Sequence, residues 1–228
     1  MLKVRMSVAS SWAWPCLLAL IGLFPGGGAW AEDQQPAFSA ALVIRHGNAA
    51  PAAAGRVVVS AEKVRIETPE LADGFFLIDA AKPTAYFVRP AMRVYMDARQ
   101  SSRLTRFFVP VDPVDPCRQW QAMARLAGLA GHGDWRCERV GEDKIDGRSV
   151  IAYRAVSGSD EQFLGWVDPL LRFPLQVQTK DGAVIATDAI REEAQPAQLL
   201  ELPAGLRKFD PATLVEQIKQ SDVWVEAR

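Results

Sequence analysis

Two histidines, three cysteines and a scatter of carboxylates are the side chains of this 228-residue sequence that could carry chemistry. His46 and His132 lie far apart, and neither falls in a metal-ligand spacing such as HExxH, so each reads as a surface loop residue. Cys117 and Cys137 form no CxxC pattern, which argues against a zinc or redox motif. There is no GxSxG elbow, and the glycine run Gly26-Gly27-Gly28 sits in the N-terminal apolar segment rather than in a phosphate-cradling loop. The acids Glu142, Asp143, Asp146, Asp160 and Glu161 gather at turns, where carboxylates bond their own backbone and stay solvated. Glycoside hydrolysis would need two of them opposed across a cleft. The reading is therefore of a binding protein that is not an enzyme, with no metal or cofactor. Trp120, Trp135 and Trp166 have two readings, as core or as the aromatic wall of an apolar pocket. Gly165, beside Trp166, would let another group approach that strand closely.

The first thirty-one residues have the parts of a secretory signal. Lys3 and Arg5 precede an apolar stretch from Trp12 to Phe24, Pro25-Gly-Gly-Gly breaks it, and Ala29-Trp30-Ala31 offers small residues where a signal peptidase reads. The stretch is shorter than the about 20 uninterrupted apolar residues of a membrane-spanning helix. Cys16 lies inside it after Trp14-Pro15, which does not suit a lipidation site. Cleavage after Ala31 would leave residues 32–228 as one periplasmic domain without a transmembrane segment. Loss of Lys3 and Arg5 takes the net charge from −1 to −3. That balance gives no reason to expect nucleic acid as a partner. Two cysteines remain, an even number, which in an oxidising compartment suggests a disulfide; two unpaired buried thiols are the alternative.

The elements follow from turn signals and apolar runs. Glu32–Pro36 is a polar lead-in, and Asn48–Gly55 reads as a loop. Strands are expected over Phe38–Arg45, Arg56–Ser60, Lys63–Glu67, Gly74–Asp79, Thr84–Arg89 and Arg93–Asp97, with a weaker run at Leu104–Val109. Asp115 can cap a helix that has Pro116 at its first position and Trp120, Met123, Ala124 and Ala127 at helical spacing. Strands resume over Trp135–Val140, Ser149–Val156, Gln162–Asp168, Pro174–Thr179 and Ala183–Ile190, with Asp146-Gly147 and Lys180-Asp181-Gly182 as tight turns. A run at Leu199–Leu202 follows, and Asp210-Pro211 opens a last helix to about Gln220. The expected fold is mainly β, with about ten or eleven antiparallel strands and two helices. Phe75-Phe76-Leu77-Ile78 and Tyr86-Phe87-Val88 are apolar on both faces and must be covered on both. A half-closed barrel over helices or a β-sandwich would meet that demand.

Pro116-Cys117, the string Trp135-Arg-Cys137-Glu-Arg-Val-Gly-Glu-Asp-Lys-Ile-Asp-Gly147-Arg, Trp166-Val-Asp-Pro, Phe173-Pro174-Leu and Leu200-Glu-Leu-Pro-Ala-Gly occur in an order and spacing that carry a resemblance. Together they resemble a poorly characterised, exported branch of the LolA/LolB-like lipoprotein-carrier superfamily, over about Phe38 to Asp210. The resemblance implies an unclosed, curved antiparallel half-barrel over helices, with an apolar cavity that in the carriers shields lipid chains of a lipoprotein in the periplasm. The carriers begin with an amphipathic helix, and only Glu32–Ala37 stands in its place here. The expected function is that of a periplasmic, non-catalytic carrier or binder of an amphiphilic, lipid-like or lipoprotein ligand. Phe76, Phe87, Val94, Met96, Tyr153, Trp166 and Val177 are the candidate cavity wall. The alternative is an envelope protein-interaction or stress-sensing module, with Trp224 in the tail Asp222-Val-Trp-Val-Glu as its contact.

Overall fold

The computed structural model describes residues 37–98, 103–128, 135–157 and 162–211. Residues 1–31, His132, Trp224 and the expected last helix beyond Pro211 lie outside them. The described strands are β1 (Phe38–His46), β2 (Ala52–Ser60), β3 (Lys63–Glu67), β4 (Phe75–Asp79), β5 (Thr84–Arg89), β6 (Val94–Asp97), β7 (Arg136–Ile145), β8 (Arg148–Val156), β9 (Gln162–Asp168), β10 (Phe173–Thr179), β11 (Ala183–Glu192) and β12 (Arg207–Lys208). The helices are α1 (Arg103–Phe107) and α2 (Pro116–Leu126). All twelve strands join one unclosed sheet in the order β12-β6-β5-β4-β3-β2-β1-β11-β10-β9-β8-β7. Every neighbouring pair is antiparallel except β12 with β6. The expected class, mainly β with an open sheet over helices, is what the strand pairing gives.

Helix α2 touches both β5 and β7, near opposite ends of the strand order. The sheet must therefore curl around the helix, and its helix side is the concave face. Trp120 of α2 is buried against β9, and a Cβ on Gly165 would lie 2.8 Å from its ring. Glycine at 165 thus admits a group from the chain's own helix. The Trp120 indole N–H donates to the Phe107 carbonyl at 3.1 Å, which ties α2 to α1. Phe163 is the hub of this packing, with ring centroids 4.7 Å from Phe107, 5.0 Å from Trp120 and 5.7 Å from Trp135. Asp115 occupies the cap position of α2 without a side-chain cap bond. The disulfide between Cys117 and Cys137, with Cα atoms 5.6 Å apart, fastens the first turn of α2 to β7. Closing a 20-residue span contributes about 3 kcal/mol in the chain-entropy model.

The second face of the doubly apolar strands has its own cover. Phe75, Leu77 and Val88 are buried there with Tyr86, Tyr95 and Leu206 packed on them. The C-terminal segment supplies that cover: the short 3-10 turn Ala197–Leu200 lies on β2 and β3, Leu206 packs on Phe75 and its neighbours, and β12 ends the run along β6.

Three local readings are corrected. Leu104–Val109 is not a strand: its first part is α1, because Leu104 and Phe107, three residues apart, both bury on the concave side. The loop expected over Asn48–Gly55 ends earlier, since Ala52 and Ala53 already pair with Ile44 and Val43, helped by a register shift at Leu42/Val43. Leu199–Leu202 holds a 3-10 turn instead of a strand. The two-residue β12 was not foreseen, as nothing in Arg207-Lys208 carries strand periodicity. By contrast, the Asp146-Gly147 hairpin has the positive φ values of 49° and 79° that its turn type needs.

Candidate functional site

The concave face is filled by side chains over β8, β9 and β10 but not at the end where β1, β2 and β11 meet α1. A slot of about 250 Å³ remains there, walled by Ile44, Ala53, Ala54, Phe76, Leu104 and Ile185. Ile44 and Ile185 stand opposite each other across β1 and β11, so they share a face, and Ala54 falls at the register shift between β1 and β2. The 3-10 turn Pro69–Leu71 roofs the slot. The Thr68 hydroxyl oxygen just before that turn is buried and has no hydrogen-bond partner among the described residues. A buried polar oxygen without a partner costs free energy that a bound donor or a water would recover. Arg103 stands at the rim. Its guanidinium bonds the Asp181 carboxylate at 3.0 Å, and the Thr179 hydroxyl also donates to that carboxylate. The Thr179 bond, then the Arg103 bond, pull the Asp181 carboxyl down to about 2.

Around the roof the slot meets a wider cleft of about 680 Å³, which shares Ala53, Thr68, Pro69 and Leu71 with it. Arg65 anchors this cleft. It stacks over Phe75 at 3.4 Å, bonds Glu67 at 2.8 Å and reaches the Leu199 carbonyl at 3.5 Å. Arg56, the cross-strand neighbour of Glu67, is exposed at its side. An apolar slot opening into a cleft with guanidinium and carboxylate groups suits a molecule with one apolar and one polar end.

The seven expected wall residues divide. Phe76 lines the slot, and Phe87 packs on it with ring centroids 5.1 Å apart. Met96 stands opposite Phe87 on β6, so it shares their face, as does Val94 two residues earlier. Tyr153 and Val177 belong to the packed core; burial raises the Tyr153 phenol, whose hydroxyl donates to the Pro113 carbonyl. Trp166 alternates with Gly165 and stands on the other face of β9 from Phe163 and Val167. Ile44, Ala53, Ala54, Leu104 and Ile185 were missed. Ala53 and Ala54 sat in a segment read as loop, Ile44 and Ile185 in strands whose inward face sequence does not show, and Leu104 in one read as strand. His46 is exposed at the end of β1, and no group of three or more His, Cys, Asp or Glu among the described residues could hold a metal. No helix among them is long and apolar enough to cross a membrane.

No protein-family profile matches the sequence, and no curated protein does. Among solved structures, the chain is similar to PNGF-II, at 9% identity and a TM-score of 0.46 over 81% of this chain. It spans only 33% of the length of that protein. It is also similar to an uncharacterized conserved protein from Thermus thermophilus, at 13% identity and a TM-score of 0.43, covering 78% of this chain and 91% of that one. A LolA superfamily protein from Nitrosomonas europaea matches at 13% identity and a TM-score of 0.33, over 74% of this chain and 91% of that one. The structural matches thus include the superfamily that the sequence strings resemble. At these TM-scores the likenesses carry no argument, and the architecture rests on the chain's own strand pairing.

Proposed function

We propose that this chain is a non-catalytic, periplasmic binding or carrier protein that holds the apolar part of an amphiphilic, lipid-like or lipoprotein ligand. In this reading residues 1–31 are a signal removed after Ala31 and residues 32–228 are the exported domain. The observation that carries it is the slot beneath Pro69–Leu71, an apolar space on the concave face that the chain's own side chains leave open. About 250 Å³ is below the range of roughly 300–1,000 Å³ usual for whole small ligands, so the slot takes a short apolar stretch. Burying six methylenes there would contribute roughly 5 kcal/mol before the cost of association. The polar remainder would lie in the adjoining cleft with Arg56 and Arg65. The disulfide supports residence in an oxidising compartment. Native mass spectrometry of protein purified from its own periplasm without detergent tests the reading. A bound amphiphile is expected. An empty protein that also takes up no fluorescent fatty acid would count against it.

A further inference from the structure

Three guanidinium groups gather at the cleft beside the slot, and their bonds are not alike. Arg65 is committed on three sides, to Phe75, Glu67 and the Leu199 carbonyl. Arg89 holds Asp73, to which its Nε donates at 3.0 Å, and this bond keeps the Asp73 carboxyl below its usual range. Arg56 lines the cleft, is exposed, and has no side-chain hydrogen bond or ion pair with a described residue.

The strand register explains the surplus. Arg56 of β2 and Glu67 of β3 are partners across the strand pair, but the Glu67 carboxylate bonds Arg65 on its own strand. Two guanidiniums thus share one carboxylate. The other carboxylate that lines the cleft, Asp73, is taken by Arg89. Glu70 borders the slot and does not line the cleft. One positive charge is left unbalanced, that of Arg56. Gly55 fixes where it stands: with a φ of 149° it lets β2 pass so close to the Glu67 carbonyl that a Cβ would collide with that oxygen. The Thr68 hydroxyl borders both slot and cleft, has no partner among the described residues, and can donate to an oxygen held between them. An oxyanion answers both groups, since a guanidinium offers paired N–H donors that match a carboxylate or phosphate. A cationic head group would meet Arg56 with like charge.

We propose that the polar end of the ligand is an oxyanion, a carboxylate or a phosphate, and that Arg56 is the residue that selects it. This rests on the reading of the slot as the site of an amphiphile. The slot takes the apolar chain and supplies most of the affinity, and the cleft chooses the head group. The selection is modest, because Arg56 stays in contact with water.

Calorimetric titration with amphiphiles of one chain length separates the two claims, with circular dichroism to verify the fold of each variant. Octanoate and octyl phosphate should each bind about fivefold tighter than octanol, and octyltrimethylammonium should bind weakest. In Arg56→Ala the preference for octanoate over octanol should fall to near unity. Arg56→Lys should restore part of it, since the charge returns without the fork of donors. In 1 M salt, where the Debye length falls to about 3 Å, the same preference should narrow. Inorganic phosphate should not displace octyl phosphate at matched concentration, because it brings no chain. Octanol that binds as tightly as octanoate, or an Arg56→Ala protein that keeps the preference, overturns the oxyanion assignment and leaves the slot standing. Displacement by inorganic phosphate would make the cleft a site for free anions and would also overturn it. If none of the octyl compounds binds, the slot reading itself fails and this proposal with it.

Discussion

Asp181 holds the turn between β10 and β11 to α1 at the rim of the slot, accepting bonds from the Thr179 hydroxyl and the Arg103 guanidinium. Its carboxyl is drawn from an ordinary 3.8 down to about 2. A carboxyl with a depressed folded value adds stability that is present above the unfolded value and is lost as pH falls through the folded one. Asp181→Asn should therefore lower the melting temperature slightly at pH 7, by little because the group is exposed. The gap to wild type should close between about pH 4 and pH 2, as read from thermal melts across that range. Residues were legible in the sequence where their role depended on type alone. The Cys117–Cys137 disulfide matches the even count of two cysteines outside the N-terminal apolar segment. The wall residues depended on parity, which register shifts at Leu42/Val43, Arg139/Gly141 and Pro174/Gln176 alter along the strands. Apolar runs thus led to Phe76 and equally to Trp166, which alternation sets on the opposite face from Gly165.

Elements were legible wherever turn chemistry bounded them, as at Asp146-Gly147 and Lys180-Asp181-Gly182. α1 was hidden because Leu104-Thr-Arg-Phe-Phe-Val has no polar face at either period, and tertiary burial of Leu104 and Phe107 decides the outcome. The cover of the second face was also hidden, since Glu193–Lys208 has the composition of a loop. The seating of α2 on β9 is the element contact most open to test. Gly165→Ala would drive a methyl group into the Trp120 ring, and overpacking of this kind costs about 1–3 kcal/mol. Urea unfolding should show a lower midpoint for Gly165→Ala. The loss should shrink in a Trp120→Leu background, where the ring is gone; equal losses in both backgrounds would mean that the contact does not set the spacing.

For the molecule as a whole, the doubly apolar strands called for a sheet covered on both sides, and the structure supplies two different covers. Helices α1 and α2 fill most of the concave face, and the C-terminal segment lies on the other. Where the helices stop short of β1, β2 and β11, the slot opens, and no periodicity in the sequence could locate that gap. If the gap is the binding site, filling it must abolish binding. A calorimetric titration with a medium-chain fatty acid puts this to the test by comparing wild type with two variants. Ala54→Phe fills the slot from a half-buried rim position, and Ala41→Phe places the same ring on an exposed part of β1. One-to-one binding is expected for wild type and Ala41→Phe, weakened at least about tenfold by Ala54→Phe. Undiminished binding by Ala54→Phe, or no binding by wild type, would contradict the assignment of the slot as the site.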